Sequence, residues 1–367
     1  MTKASRIIGL VLVILLLSAS QNVLNGYEVK LFERLDFAPD QSPILFPRDF
    51  CLTEDGLFLI SDQHAGEVKI YQGEKKILKL VGTIGGENSG IGKLQYPTYC
   101  FYNPEQSKFG VIDFYKRAIL LYDRLSRLDF KYDKAIDCPY LADGIQLIGN
   151  TLWVSGYTPD ERNNPFDLYA IDMSSNRKTL LLPSYLKFSL KSLAEYEEKY
   201  MNNLDIRALG ISGWFAIQGG HAYYSWEGAL NIIKLNSRTG KVVKEFGEQT
   251  PYYEKPYASQ ELLEGYRNRD SEIIFSEKTK MSFIRHLFND SQHLYVIYEG
   301  PVVKEPGSDS SFRMQVYRLN GDLIDDVSIP GQPGNPMRFD NKISHLYSIG
   351  KDQGADEYYI LKYFVFR

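Results

Sequence analysis

The chain has 367 residues and is 14% aromatic, with 27 Tyr and 20 Phe against 3 Trp, a supply suited to half-buried strands and the wedges between packed sheets. Its formal net charge is −4, with Lys/Arg and Asp/Glu intermixed throughout. No basic field argues for nucleic acid, and no polybasic tract argues for an anionic membrane surface.

Residues 1–20 differ in kind from the rest. Lys3 and Arg6 form a positive n-region, Ile7 to Leu17 is apolar throughout, and Ser18-Ala19-Ser20 supplies small residues before Gln21. This is the pattern of a cleaved secretory signal peptide; an uncleaved membrane anchor is the rival, and would need about 20 apolar residues to span a bilayer. No Cys follows the small residues, so a lipid-modified cysteine is not indicated. The expected product is a soluble protein of residues 21–367, periplasmic or extracellular, with no membrane span after cleavage.

A repeat follows. FPRDFCLTEDGLFLISDQHAGEVKIY (Phe46 to Tyr71) is rewritten 50 residues later as YPTYCFYNPEQSKFGVIDFYKRAILLYD (Tyr96 to Asp123). Each copy runs aromatic-Pro, apolar segment, polar turn, apolar alternation ending in Asp (Asp62, Asp113), loop, and a second alternating segment carrying Tyr71 or Tyr122. A repeat of this length, made of short strands, predicts an all-β propeller of four-stranded antiparallel blades. Cys51 and Cys100 fall in matching strands, as buried thiols or as a bridge between neighbours; Cys138 leaves the number odd.

Strands recur to the C-terminus in groups of four, A to D. Blades one and two occupy the repeat. Blade three begins at Asp143 (DGIQLI, Gly149-Asn150, TLWVS, DLYAID, KTLLL), and blade four is SGWFAIQ, HAYYSW, ALNIIKL and KVVKEFG. Blade five runs MSFIRHLF, HLYVIYEG, FRMQVYRL and DLIDDVSI. Blade six has PMRFD, KISHLYSIG and EYYILKYFVF, one strand short. Tyr27 to Phe37 alternates like a D strand without a hairpin partner, and placed in blade six it closes the ring. Six blades result; five or seven would need further strands in 184–210 or 249–280, where SLKSLAEYEEKY and SQELLEGYRNR read instead as helical insertions.

The two N-terminal copies resemble NHL repeats, through Pro47, Gly56, Asp62, Val68 and Ile70 in the first and Pro97, Gly110, Asp113, Ile119 and Leu120 in the second. With its leader, the whole chain resembles the exported six-bladed propellers of the NHL/TolB-like group found in Bacteroidetes, most of them without an assigned activity. The resemblance implies the fold; scaffolds, lyases and lactonases share it.

Loop lengths divide the two faces. The A-to-B and C-to-D turns are short, whereas the D-to-A and B-to-C connections receive both helical insertions, GTIGGENSGIGKLQ, YTPDERNNPF and EGPVVKEPGSDSS. The decorated face is therefore the expected functional one, against drift of unconstrained insertions. Strand A lies innermost and starts there, so its first residues should ring the channel mouth: Arg48, Asp49, Thr98, Tyr99, Asp143, Trp214, Arg285, His286, Arg338 and Asp340. The arginines suit capture of a carboxylate, sulfate or phosphate, with Tyr99 or Trp214 stacking on a sugar or another flat group. Alternatively, Arg48, Arg285 and Arg338 pair with Asp49, Asp143 and Asp340 and simply fill the channel.

Catalytic patterns are sparse. The lactonases that resemble this fold imply carboxylates converging on one divalent ion, for which Asp49, Asp143 and Asp340 are candidates. The five histidines show no HxH or HxxxH spacing, GxSxG is absent, and the glycine-rich segment lacks the Lys-Ser/Thr of a phosphate loop. Asp62 and Asp113 are expected to cap B-to-C turns. The leading expectation is a non-catalytic binding propeller, without catalytic residues or cofactor, that holds a protein, peptide or glycan. The alternative is a hydrolase or lyase using a divalent cation such as calcium at the channel mouth.

Overall fold

The computed structural model describes residues 26–366 apart from 40–42, 139–140, 158–165, 176, 184–212, 255, 258, 302–310, 332, 335, 341–343 and 353–356. The leader (1–20) and the first helical insertion (184–210) thus lie outside the described residues. Between them the alternating segments form strands almost throughout, and the fold is all-β and propeller-like.

The strands predicted for blades two to five each form one four-stranded antiparallel sheet, ordered as in the chain. Those predicted for blades one and six lie together in an eight-stranded sheet. Its halves join along a short parallel contact in which Asp36 and Phe37 face Ile77 and Leu78. Glu28–Phe37 pairs antiparallel with Tyr358–Phe366, so the N-terminal strand supplies the outer neighbour that the last segment lacks. The innermost strands, Pro47–Leu52, Pro97–Asn103, Leu141–Ile148, Gly213–Gln218, Phe283–Asn289 and Met337–Asp340, each contact the next, and the last contacts the first.

Period-2 alternation sends one set of side chains to each face of a sheet, and here both faces are covered by neighbouring sheets. Cys51, Leu59, Val68 and Ile70 meet Cys100, Val111, Leu120 and Tyr122 in one such wedge. Phe50, Phe58, Ile60 and Tyr71 meet Tyr347, Ile349 and Ile360 in the wedge that unites the chain's two ends. Each large side chain buried this way contributes about 1.5–3 kcal/mol, so the wedges hold the ring together more than any single pairing does. All three cysteines are buried free thiols.

The second insertion is helical, as its pattern predicts. Helix α1 (Gln260–Asn268) starts at Ser259, whose side chain accepts from Leu262 N at 3.0 Å. Helix α2 (Ser271–Lys278) starts at Asp270, which accepts from Glu272 N and Ile273 N at 3.0 and 3.1 Å. These caps satisfy amides that a helix start leaves unpaired. Leu262 of α1 packs on Met281 and Phe283, seating the pair against the start of an inner strand. The glycine-rich segment forms a short 3-10 helix, Glu87–Gly92, after Gly85, whose φ of 74° favours a residue without Cβ.

Candidate functional site

Where an inner strand begins, the ladder to its neighbour breaks. Register shifts fall between Pro47 and Asp49, Pro97 and Cys100, Ala142 and Gly144, and Ile284 and His286. The residues set out of register are therefore Arg48, Thr98 with Tyr99, Asp143 and Arg285. A bulge leaves its extra residue unpaired and re-aims the side chain, a device common beside binding sites. By contrast, Trp214 and Arg338 stand in uninterrupted ladders.

The bulged residues meet partners across the mouth. Arg48 donates from Nη2 to Tyr99 Oη at 3.0 Å, and its guanidinium carbon lies 5.3 Å from the Tyr99 ring centroid. Arg285 donates from Nη1 to Glu227 Oε1 at 2.8 Å and from Nε to Glu299 Oε2 at 2.8 Å. Burial pushes the Glu227 carboxyl above its ordinary range, while Arg285 pulls it back. The Asp143 side chain lies outside the described residues.

Deeper in the channel, Arg338 forms an ion pair with Asp49, which is fully buried and also accepts from Cys100 N at 2.8 Å. Burial raises the Asp49 carboxyl; Arg338 and the amide oppose that shift. Trp214 donates from Nε1 to Ile284 O at 3.0 Å and stands edge-on to His286, with centroids 5.3 Å apart. Burial, then the charge of Arg338, holds the His286 imidazole well below its usual pKa, so it is neutral.

The arginines therefore divide. Arg338 takes a carboxylate, as in a filled channel, while Arg285 binds two glutamates and Arg48 donates to Tyr99 and adds its charge to that of Arg285 at the Glu227 carboxyl. Glu299 ends the second strand of its sheet and Glu227 directly follows that of its own, and reading only inner strands overlooks both. A signal was present, because Glu299 ends HLYVIYE as Asp62 and Asp113 end their own strands.

Those two aspartates act as expected. Asp62 accepts from Leu45 N, Phe46 N and Ala65 N at 2.9, 3.0 and 3.3 Å, and Asp113 from Gln95 N and Lys116 N at 2.7 and 3.2 Å. Each ties the segment entering an inner strand to the following B-to-C loop. Amides of those loops complete the tie, with Gln63 N donating to Phe46 O and Phe114 N to Tyr96 O at 2.9 and 3.0 Å.

This stitching sets out a row of rings. Phe46 stacks on His64 at 4.8 Å and 22°, and Tyr96 lies 4.6 Å from Tyr115 and 5.9 Å from Phe114. Phe46, Phe114 and Tyr115 are 39, 41 and 65% exposed.

A cavity of about 390 Å³ occupies the channel. Trp214 and Arg338 line it, whereas Arg48, Asp49, Tyr99 and Arg285 do not. Its other walls come from later residues of the inner strands and from A-to-B turn residues such as Glu54 and Pro104, so it reaches toward the face with short turns. Among the described residues, no three His, Cys, Asp or Glu side chains gather as metal ligands would. Nor is any described helix long and apolar enough to cross a membrane.

No known protein family and no curated protein matches the chain. Solved structures do. A member of the DUF4221 family from Bacteroides vulgatus superposes with a TM-score of 0.63 at 10% identity, covering 94% of this chain and 99% of that one. A "putative exported protein" of Bacteroides fragilis gives 0.57 at 14% identity, covering 92% and 96%. At such identities the likeness is one of fold.

Proposed function

We propose that this is an exported, six-bladed propeller of the NHL/TolB-like kind whose decorated face holds a protein, peptide or glycan partner without catalysing a reaction. The closed succession of inner strands favours six blades, and the leader pattern together with the similar exported Bacteroides fragilis protein favours export. The observation that carries the binding role is the set of exposed rings, Phe46, Phe114 and Tyr115, fixed by hydrogen-bonded loops at the entry to the strands that carry the Arg48–Tyr99 pair. Flat apolar faces bordered by satisfied polar groups suit a sugar ring or an extended peptide, and rigid aromatics give contact area at small entropic cost.

The test is a glycan and peptide array probed with the purified protein and with a Phe114→Ala/Tyr115→Ala variant. Signals that disappear in the variant support the reading. Signals indifferent to the rings, or turnover of lactone or ester substrates on addition of calcium, would replace it with the channel-centred hydrolase.

A further inference from the structure

The channel cavity is separate from the ring-bearing loops, and its chemistry is different. Every inner strand contributes to it: Cys51 and Leu52, Phe101 and Tyr102, Ile145 and Gln146, Trp214 and Phe215, His286 and Phe288, Arg338 and Phe339. Aromatic rings thus form much of the wall. Phe288 and Phe339 stack at 4.3 Å and 24°, and His286 continues the same surface at 5.6 Å from Phe288. Glu54, Pro104 and Gln146 are exposed lining residues, so the cavity opens to solvent at the short-turn end. A partly open hollow of this size, with aromatic rings from four of the six inner strands set among polar lining, lies within the range of small-molecule sites.

The charges along the wall are already matched. Arg338 is held by Asp49 and by Met337 O, and Glu54 lies 3.2 Å from Arg124. Asp340 is likewise not without a partner. An ionic ligand would find no unmatched counter-charge and would have to give up its hydration. Hydrogen-bonding capacity does remain. Ser155 Oγ and His286 Nδ1, both on lining residues and both buried, have no hydrogen-bond partner among the described residues. Ser155 lies opposite Gly144, where an added Cβ would come within 2.9 Å of its hydroxyl, so the missing side chain brings this second-strand residue into the lining. Native structures rarely leave buried polar groups unsatisfied without a reason.

We propose that this cavity binds a small, planar, uncharged organic molecule of one or two rings, inserted from the short-turn face between the Phe288–Phe339 stack and Trp214, with a carbonyl or amide group turned toward Arg338, His286 and Ser155. The site is independent of the partner surface on the decorated face.

Three isosteric probes, 2-naphthamide, 2-naphthoate and 2-naphthylmethylamine, test this by titration calorimetry on the purified protein. The amide should bind, and the carboxylate and the amine at least about tenfold more weakly, because each must bury a charge. Gln146→Trp and Pro104→Trp each place bulk on the exposed rim and should abolish amide binding, while Tyr115→Ala, on the other face, should leave it unchanged. Unfolding curves confirm that each variant is folded. Equal or tighter binding of a charged probe, unaffected binding in both folded rim variants, or no binding of the amide would each overturn the proposal.

Discussion

Arg338 and Asp49 stand 289 positions apart in the chain and form an ion pair inside the channel, joining the first inner strand to the last. Asp49 is fully buried, and the Arg338 side chain is 20% exposed, toward the cavity that it lines. Breaking such a pair from one side strands the other charge. Arg338→Ala should therefore lower the unfolding free energy by about 3 kcal/mol, and Asp49→Asn/Arg338→Met should recover much of that loss. Urea denaturation of the three proteins measures both effects, and a loss under about 1 kcal/mol for the single variant would show that the pair is not a structural tie.

His286 gives the fold a defined sensitivity to acid. Its folded pKa is depressed, by burial first and by Arg338 second, relative to about 6.5 in the unfolded chain. The unfolded state therefore takes up a proton that the folded state refuses. The stability associated with neutral His286 is intact above pH 6.5 and falls by about 1.4 kcal/mol per pH unit as the pH drops from there toward the folded pKa. His286→Gln should flatten that part of the stability profile between pH 7 and pH 5. Parallel slopes for the two proteins would refute the assignment.

Cys138 should be silent until the protein unfolds. It is a buried free thiol, and burial pushes its pKa up to about 12. A thiol reagent at pH 8 should leave it unlabelled in the native protein and label it in denaturant. Fast native labelling of Cys138 would reveal local opening of its wedge.

The N-terminal strand guards an edge. Without Glu28–Phe37, the Tyr358–Phe366 strand would present an unpaired ladder and lose the packing of Leu35 in the closing wedge. A chain lacking residues 26–37 should self-associate, detectable by light scattering at concentrations where the full chain stays monodisperse. A monodisperse, equally stable truncated protein would mean that the ring does not depend on this pairing.

Much of the fold was legible because alternation and turn chemistry are local signals. The doubled segment from Phe46 and Tyr96, the unpaired strand before Phe37 and the helix-like SQELLEGYRNR all state their structure within a few residues. The site was legible only in part. Inner-strand position identifies Arg48, Tyr99 and Arg285, but a bulge inserts one residue without disturbing the composition on either side, so the displaced side chains could not be singled out. The link from Arg285 to Glu227 spans 58 positions and depends on how neighbouring sheets are rotated. The depth of the cavity depends on the bulk of side chains from every inner strand, and no single segment records it.

Glu28 and Phe366 face one another in register, so the first and last strand residues of the ring are already neighbours. The order of the sheets along the chain is in that sense a matter of where the circle was cut. A short polar linker between the present ends, with new ends opened in the exposed Gly219-Gly220 turn, should give a circular permutant with the same wedges, the same channel and the same two faces.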